Sequence, residues 1–216
     1  MGSDAYRMGK KKESNEENKK TVSEKEVMFG DHHEKFDILQ IGTKRHLKDK
    51  KSAKSSYIPI EVCDDKIYLS EPDGKLIPDT QGQHKCDFLL HCVNVPQTCF
   101  VELKGANISS ASKYNPYDQI IDTVEFLKNE EILKKLVDGK VKKHAFIVSP
   151  GRQKIPKGIE TKERQLWQVL QQNSQEKTTI EQLIHYVKVT PTDRYSNSKG
   201  QIVCSPSSPV KIPFKN

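Results

Sequence analysis

The sequence predicts an α/β fold built on a mixed β-sheet, and two observations predict it. Residues 85–94 and 98–105 are rich in Phe, Leu, Val and Cys, and the stretch Asn94–Gln97 between them is short enough for an antiparallel hairpin. A long helical pattern that begins at Asn115 is followed by a continuous apolar strand, His144–Ser149. A strand, a long helix and another strand predict a right-handed crossover to a parallel position. One antiparallel and one parallel connection make the sheet mixed.

The composition predicts one folded domain between two polar ends. Of the 216 residues, 34% are hydrophobic and 30% are charged, a low apolar share for a chain that is packed throughout. Residues 1–25 are nearly all polar or charged, so we expect a disordered arm. Ser, Pro, Lys and Asn dominate from residue 191, which predicts a polar tail over 191–216. The folded domain is therefore expected over residues 26–190.

Several classes of protein are excluded at this point. No stretch approaches the roughly 20 apolar residues of a membrane-spanning helix, and the N-terminus lacks the apolar core of a signal peptide. The five cysteines are odd in number and form no CxxC pair, which argues against a disulfide framework and a structural zinc site. We therefore expect a cytoplasmic protein with no membrane partner.

The remaining elements follow from local patterns. Apolar residues from Val27 onward permit a first helix. Asn115 and Pro116 are typical of a helix N-cap and first helical residue, and Gly139 is placed to end that helix as a C′ residue. Residues 180–189 fit either a helix or a strand. Strands are also predicted at Tyr57–Val62 and Lys66–Ser70, and a helix at Thr161–Gln172.

A net charge of +7 permits a polyanionic partner. Residues 44–54 carry six basic side chains against one acid, which indicates either a solvated loop or a surface that faces phosphates. Further basic residues flank the predicted strand at 144–149. The residues expected to contact nucleic-acid phosphates are Lys44, Arg45, Lys48, Lys142, Lys143, Arg152 and Lys154.

The most informative segment is 85–105, where two charges interrupt an apolar strand. Glu102 and Lys104 alternate with Val101 and Leu103, so the two charged side chains share one face of the strand, about 6–7 Å apart. Burying a charge in such a strand is expensive unless the charge is paired or bound to a metal. The pair therefore predicts a functional site.

The hairpin adds a third ionisable side chain. If its turn is centred between residues 94 and 95, Asp87 lies opposite Glu102. If the turn is centred between residues 95 and 96, Asp87 lies opposite Lys104. Either register brings the Asp87 carboxylate within reach of the other two, because directly opposed Cβ atoms are ~4.5–5.5 Å apart. Two close carboxylates repel, and Mg²⁺ relieves the repulsion with one or two carboxylates, water and a substrate phosphate in its shell.

This set of groups predicts phosphodiester hydrolysis without a covalent intermediate. A metal polarises the phosphodiester and lowers the pKa of a bound water. Lys104 is placed to orient that water or to offset the charge that grows on the phosphorane.

Asp87, followed by Glu102-x-Lys104 at the end of the next strand, resembles the signature of the PD-(D/E)xK nuclease superfamily. The resemblance implies a restriction-endonuclease-like core, in which a central mixed sheet is flanked by helices and the order is helix, three-strand meander, helix, strand. It also implies that Asp87 and Glu102 bind the metal, with the backbone carbonyl of Leu103 in the same shell, and that Lys104 positions the water. Gln119, on the following helix, would support the site.

Some positions depart from the pattern or stay open. Cys86, not proline, precedes Asp87, while a literal Pro78-Asp79 lies eight residues upstream. Asp79 is therefore a rival for the role of Asp87. A further glutamate from the first helix would be Glu26 or Glu34.

The resemblance implies a Mg²⁺-dependent endonuclease, for which Mn²⁺ would substitute, that hydrolyses DNA in restriction, antiviral defence or repair. The alternatives are an inactive module of the same fold that binds nucleic acid or a protein partner, and a nuclease directed at RNA. A domain of this size would act as a homodimer or within a larger complex to cut both strands.

Overall fold

A seven-stranded mixed sheet and a three-stranded sheet lie at the centre of the protein. The structure is a computed structural model that describes residues 24–48, 56–79, 83–105, 115–149, 159–174, 176–191 and 201–215. The strands in these ranges are β1 (Asp37–Leu39), β2 (Lys44–Lys48), β3 (Tyr57–Val62), β4 (Ile67–Ser70), β5 (Phe88–Cys92), β6 (Gln97–Leu103), β7 (Lys142–Ser149), β8 (Ile184–Val189), β9 (Gln201–Cys204) and β10 (Val210–Ile212). The helices are α1 (residues 24–29), α2 (Pro116–Asn129), α3 (Glu160–Gln171) and α4 (Ile180–Leu183), with short 3₁₀ helices at Gly30–Lys35 and Leu133–Leu136.

The large sheet runs in the order β1-β4-β5-β6-β7-β8-β9. Neighbouring strands from β1 to β6 are antiparallel, and those from β6 to β9 are parallel. The β5–β6 hairpin and the parallel pairing of β6 with β7 across α2 confirm the predicted mixed sheet. β7 is buried at every residue after its first, as expected of a strand that is covered on both faces.

Each face of the large sheet is covered by a different layer. One face packs against the helices, in a core that includes Phe100 of β6 and Tyr117 of α2. The other face packs against the small sheet, in a core that includes Val101 and Phe146. The small sheet has the order β10-β3-β2, with β10 parallel and β2 antiparallel to β3. Because side chains alternate along β6, Glu102 shares the helix-covered face with Phe100.

The C-terminal segment belongs to both sheets, which corrects the tail expected over residues 191–216. Within 201–215, β9 extends the large sheet beside β8, and β10 pairs with β3. The backbone N–H of Phe214 donates to Oε1 of Gln97 at 2.6 Å, and the Phe214 carbonyl accepts from Nε2 at 2.9 Å. Composition could not indicate these strands, because elements of three or four residues carry too few apolar side chains to outweigh the Ser, Pro and Lys around them.

The helix α2 ends earlier than predicted, and Gly139 does not end it. The side chain of Asn115 caps the helix, as predicted, but the helix stops at Asn129 and a 3₁₀ turn follows. Gly139 lies against another loop: a Cβ built on it would stand 2.1 Å from the carbonyl oxygen of Asn173. The close approach of two backbone segments, not a helix end, therefore requires glycine at this position.

Gly139→Ala is expected to lower the free energy of unfolding by about 1–3 kcal/mol, because the added methyl group forces packed backbone apart. Urea denaturation of the two proteins measures the difference. Gly105→Ala is the control, since nothing lies within 4 Å of a Cβ built on Gly105. Equal stability of the two variants would contradict the packing argument.

The first helix begins earlier and ends sooner than predicted. Residues 24 and 25 are helical and not part of an arm, and Nζ of Lys25 donates to the carbonyl of Phe36 at 2.9 Å. Residues 1–23 of the expected arm lie outside the described residues.

The segment that fitted a helix or a strand, 180–189, divides into α4 and β8. Across the described ranges, no helix has both the length and the apolar character needed to cross a membrane.

Candidate active site

Asp87 and Glu102 face each other across the β5–β6 pair. Phe88 pairs with Val101, which places Asp87, one residue before β5, opposite Glu102 near the end of β6. This register centres the turn between residues 94 and 95, the first of the two predicted arrangements. The site therefore lies at the edge of the large sheet where β6 ends, on the face that the helices cover.

The Asp87 carboxylate is held by the backbone of the neighbouring strand. Its Oδ2 accepts a hydrogen bond of 2.6 Å from the N–H of Leu103. A hydrogen bond to an ionised acceptor is short and directional, so it orients the carboxylate. Asp87 is partly exposed, whereas Glu102 is only 1% exposed. One acid of the pair is thus open to a ligand and the other lies beneath it in the sheet.

Lys104 connects the strand to helix α2. Its Nζ lies 2.6 Å from Oε1 of Glu102, and it also donates to Oε1 of Gln119. The Nε2 of Gln119 in turn donates to the carbonyl of Lys85 at 3.1 Å. A continuous set of contacts therefore runs from Glu102 to the backbone just before Asp87, and it holds the Lys104 ammonium group in place.

One oxygen of Glu102 is without a partner within the described part of the chain. Oε1 binds Lys104, but Oε2 is buried and has no hydrogen-bond partner. Burial raises the pKa of Glu102 well above its ordinary value and the charge of Asp87 raises it further, while Lys104 and the backbone of Asp87 oppose both effects. A buried carboxylate oxygen without a partner is costly. A cation between Asp87 and Glu102 would remove that cost.

The raised pKa of Glu102 gives an expected pH dependence of stability. The native state holds a proton on Glu102 at pH values where the unfolded chain, with the ordinary pKa of 4.5, has released it. The stabilisation is complete below pH 4.5 and is lost as pH rises through the native pKa. In EDTA, the wild type should therefore lose stability relative to Glu102→Gln as pH rises from 4.5 to 8, measured by urea denaturation.

Mg²⁺ provides the matched comparison for this pH series. A cation favours the ionised carboxylate, so added Mg²⁺ should reduce the loss of wild-type stability at high pH and leave Glu102→Gln unchanged. A difference between the two proteins that stays constant with pH would show that the native pKa of Glu102 is not raised.

Cys86 stands where the nuclease signature has proline, and it links the site to α2. Its N–H donates to Oγ1 of Thr123 at 2.9 Å, and that hydroxyl donates to the carbonyl of Gln119 at 2.7 Å. Proline has no N–H and could not make this bond. Burial raises the pKa of the Cys86 thiol well above its ordinary value, so the thiol is unsuited to act as a nucleophile. Thr123 is not among the predicted site residues, because only the packing of α2 brings its hydroxyl to the N–H of Cys86, 37 residues away in sequence.

The other acids considered for the site, Asp79, Glu26 and Glu34, do not contact Asp87 or Glu102 in the described ranges. The side chain of Asp79 is 88% exposed and pairs with Nζ of Lys85 at 2.5 Å. Glu26 lies 3.8 Å from Nε2 of His33, and Glu34 is exposed. The structure therefore places Asp87 rather than Asp79 opposite Glu102, and no contact in the described ranges brings either glutamate to the pair.

The described basic residues that were expected to contact phosphates lie away from this site. Lys44, Arg45 and Lys48 lie on β2 of the small sheet, which covers the opposite face of the large sheet. Lys142 begins β7, roughly 20 Å along the strand from the end nearest Glu102. Arg152 and Lys154 lie outside the described residues.

Lys143 is buried, which corrects its expected role as a phosphate contact. It is 1% exposed, and its Nζ donates to the carbonyls of Val137 and Val141 at 3.3 Å and of Gln172 at 3.4 Å. Burial lowers the pKa of Lys143 to about 8. Its neighbour Lys142 is charged and exposed, so only the packing of β7 against two loops reveals that Lys143 points inward.

Asp87 and Glu102 would be the only protein carboxylates around a metal in the described site. Within the described ranges, no group of three or more His, Cys, Asp or Glu side chains is placed to hold a metal ion. Mg²⁺ is commonly bound through one or two carboxylates, with water and substrate completing its shell. Two facing acids, one with a buried oxygen that lacks a partner, therefore fit Mg²⁺ and do not fit a closed structural metal site.

Comparisons of the chain with protein-family models, with curated proteins and with solved structures found no match.

Proposed function

We propose that the chain is a Mg²⁺-dependent nuclease with a restriction-endonuclease-like core, and that it hydrolyses DNA in restriction, antiviral defence or repair. The observation that carries this proposal is the position of Asp87 opposite Glu102, with Lys104 on one oxygen of Glu102 and no described partner on the other. Two acids and a lysine at the ends of paired strands are the groups that the PD-(D/E)xK signature implies.

The order of elements supports the restriction-endonuclease-like part of the proposal. After the helix α1 and the strands β1, β2 and β3, the chain forms the antiparallel strands β4, β5 and β6, the helix α2 and the strand β7. β7 lies parallel to β6. Apart from β1, β2 and β3, this is the implied order of helix, three-strand meander, helix and strand. The strands β1, β8 and β9 extend that core at its two edges.

The side chains at the site have separate roles in this proposal. Asp87 and Glu102 would hold Mg²⁺, with the carbonyl of Leu103 beside them. When bound, the ion supplies Lewis-acid polarisation of the phosphodiester. Lys104, kept beside Glu102 by Gln119, orients the attacking water and offsets the charge that grows on the phosphorane. Because α2 holds Gln119, the lysine is oriented before substrate arrives.

The test is incubation of the full chain with supercoiled plasmid, linear duplex DNA, single-stranded DNA and RNA, each in MgCl₂ and in EDTA. We expect the wild type to cut DNA in Mg²⁺ and not in EDTA. We expect the Lys104→Ala variant to leave DNA intact in both. Asp79→Asn is the matched control, because it removes an acid from the literal Pro-Asp sequence outside the site; it should cut like the wild type. Cleavage in EDTA or by Lys104→Ala contradicts the proposal.

Two alternatives give different results in the same assay. A binding module would retain DNA without cutting it, whether or not metal is present. The ion pair between Glu102 and Lys104 favours this alternative, since a buried acid that is neutralised by a lysine can serve structure alone. An RNA-directed nuclease would degrade RNA and leave both forms of DNA intact.

A further inference from the structure

The small sheet has one face in the core and one face that points outward. Leu47 of β2, Ile60 of β3 and Val210 of β10 are buried in the core between the sheets, so the residues that alternate with them point outward. We call the outward set the outer sheet face; it consists of Lys44, His46 and Lys48 of β2, Tyr57, Pro59 and Glu61 of β3, and Lys211 of β10. Of these residues, Pro59 is buried.

The outer sheet face is basic and open to solvent. Its four basic residues, Lys44, His46, Lys48 and Lys211, are all exposed. Its acid, Glu61, lies 3.6 Å from Lys44, whose side chain is 65% exposed. An ion pair so exposed is weak, so a phosphate can replace the carboxylate. Lys44 and Lys48 stand about 13 Å apart along β2, with His46 between them, in a row that suits an extended polyanion.

Two rings add a stacking surface to this charge. The ring centroids of His46 and Tyr57 lie 5.2 Å apart, with an interplanar angle of 41°. Sheets bind unpaired bases by stacking them on aromatic side chains while cationic residues follow the backbone. In a duplex the bases stack on one another and their faces are closed. The rings are therefore useful for a single strand and not for a double helix.

The outer sheet face is separate from the candidate active site. Helices cover the face of the large sheet that carries Glu102, and the small sheet covers the other face. The outer sheet face therefore lies on the far side of the molecule from Glu102. Arg45, next to Lys44 in sequence, points the other way and lies 3.7 Å from Asp37 of β1. It bridges the two sheets and is not part of the outward set.

We propose that the outer sheet face binds single-stranded nucleic acid, with phosphates on its lysines and a base stacked on His46 and Tyr57. The proposal does not depend on the nuclease function, because none of these residues belongs to that site. Lysines on an edge strand also prevent pairing with other sheets. That role alone requires no affinity for nucleic acid and no contribution from the rings.

The test measures fluorescence anisotropy of short labelled strands of DNA and of RNA, and of a DNA duplex of the same sequence. The full chain is used in EDTA, where metal-dependent cleavage cannot occur. We expect single strands to bind more tightly than the duplex, and the tighter of the two single strands identifies the natural ligand as DNA or RNA. Duplex binding that equals or exceeds single-strand binding overturns the proposal.

Variants separate the contribution of charge from that of stacking. Lys44→Gln combined with Lys211→Gln should reduce the slope of log K against log salt by roughly 1.4, since each phosphate contact with a single strand contributes about 0.7. His46→Ala should weaken binding roughly 5- to 100-fold through lost stacking. Lys128→Gln combined with Lys134→Gln removes the same charge from the helix-covered side and should change neither quantity. An equal effect of this control pair overturns the proposal.

Discussion

Asp87→Asn is expected to lower the rate of Mg²⁺-dependent DNA cleavage by roughly 10³-fold or more while the fold stays intact. The amide keeps the shape of the carboxylate, and its oxygen can still accept the hydrogen bond from Leu103, but it lacks the charge that would hold a cation beside Glu102. Metal polarisation of a phosphoryl oxygen is worth several kcal/mol, and a loss of about 4 kcal/mol corresponds to 10³-fold in rate. Single-turnover cleavage of a plasmid measures the effect.

The stability of the same variant distinguishes a lost ligand from a damaged fold. Asp87→Asn should still unfold cooperatively in EDTA, and it should gain no stability from Mg²⁺, whereas the wild type should be stabilised by the ion. A variant that cuts at the wild-type rate would exclude Asp87 from the site. A wild type that Mg²⁺ does not stabilise would exclude binding of the ion between Asp87 and Glu102.

Removal of residues 201–216 is expected to abolish cooperative folding. The deletion removes β9 and β10 and uncovers the core between the two sheets. Burial of an apolar side chain contributes about 1.5–3 kcal/mol, so the buried Val210 and Ile212 together contribute roughly 3–6 kcal/mol, and the partly buried Phe214 adds to this. The total reaches the lower part of the range for the whole stability of a typical domain, about 5–15 kcal/mol. Circular dichroism and urea denaturation of the shortened chain measure the loss.

Two point variants on β10 test whether the loss of stability comes from the buried side chains of this strand. Ile212→Ala should cost about 2–5 kcal/mol, since Ile212 is 1% exposed. Lys211→Ala changes the neighbouring exposed residue and should alter stability by less than about 0.5 kcal/mol. If the shortened chain unfolds cooperatively with the wild-type midpoint, β9 and β10 contribute nothing to the stability of the sheets.

The site geometry was predictable because a short turn determines it. Strand alternation places Glu102 and Lys104 on one face, and the hairpin limits Asp87 to two registers, both of which bring it close. Local capping chemistry likewise indicated the start of α2 at Asn115. These features depend on residues that are near in sequence, where patterns carry most information.

The features that the sequence did not indicate depend on distant residues. The parallel pairing of β10 with β3 joins segments about 150 residues apart, as in the register of Val210 with Ile60. The burial of Lys143 depends on loops that close over it, and the role of Thr123 depends on how α2 is rotated against β5. Each of these is settled by tertiary packing, which overrides local composition.

The long separation in sequence between β3 and β10 affects the order in which the sheets can form during translation. β3 leaves the ribosome long before β10 exists, so the apolar side of β2 and β3 has no β10 to pair with until residues 210–212 have been made. Such delayed pairing of distant segments is slow and leaves nascent strands open to aggregation. A chain that is cut short before residue 201 would therefore lack one strand of each sheet.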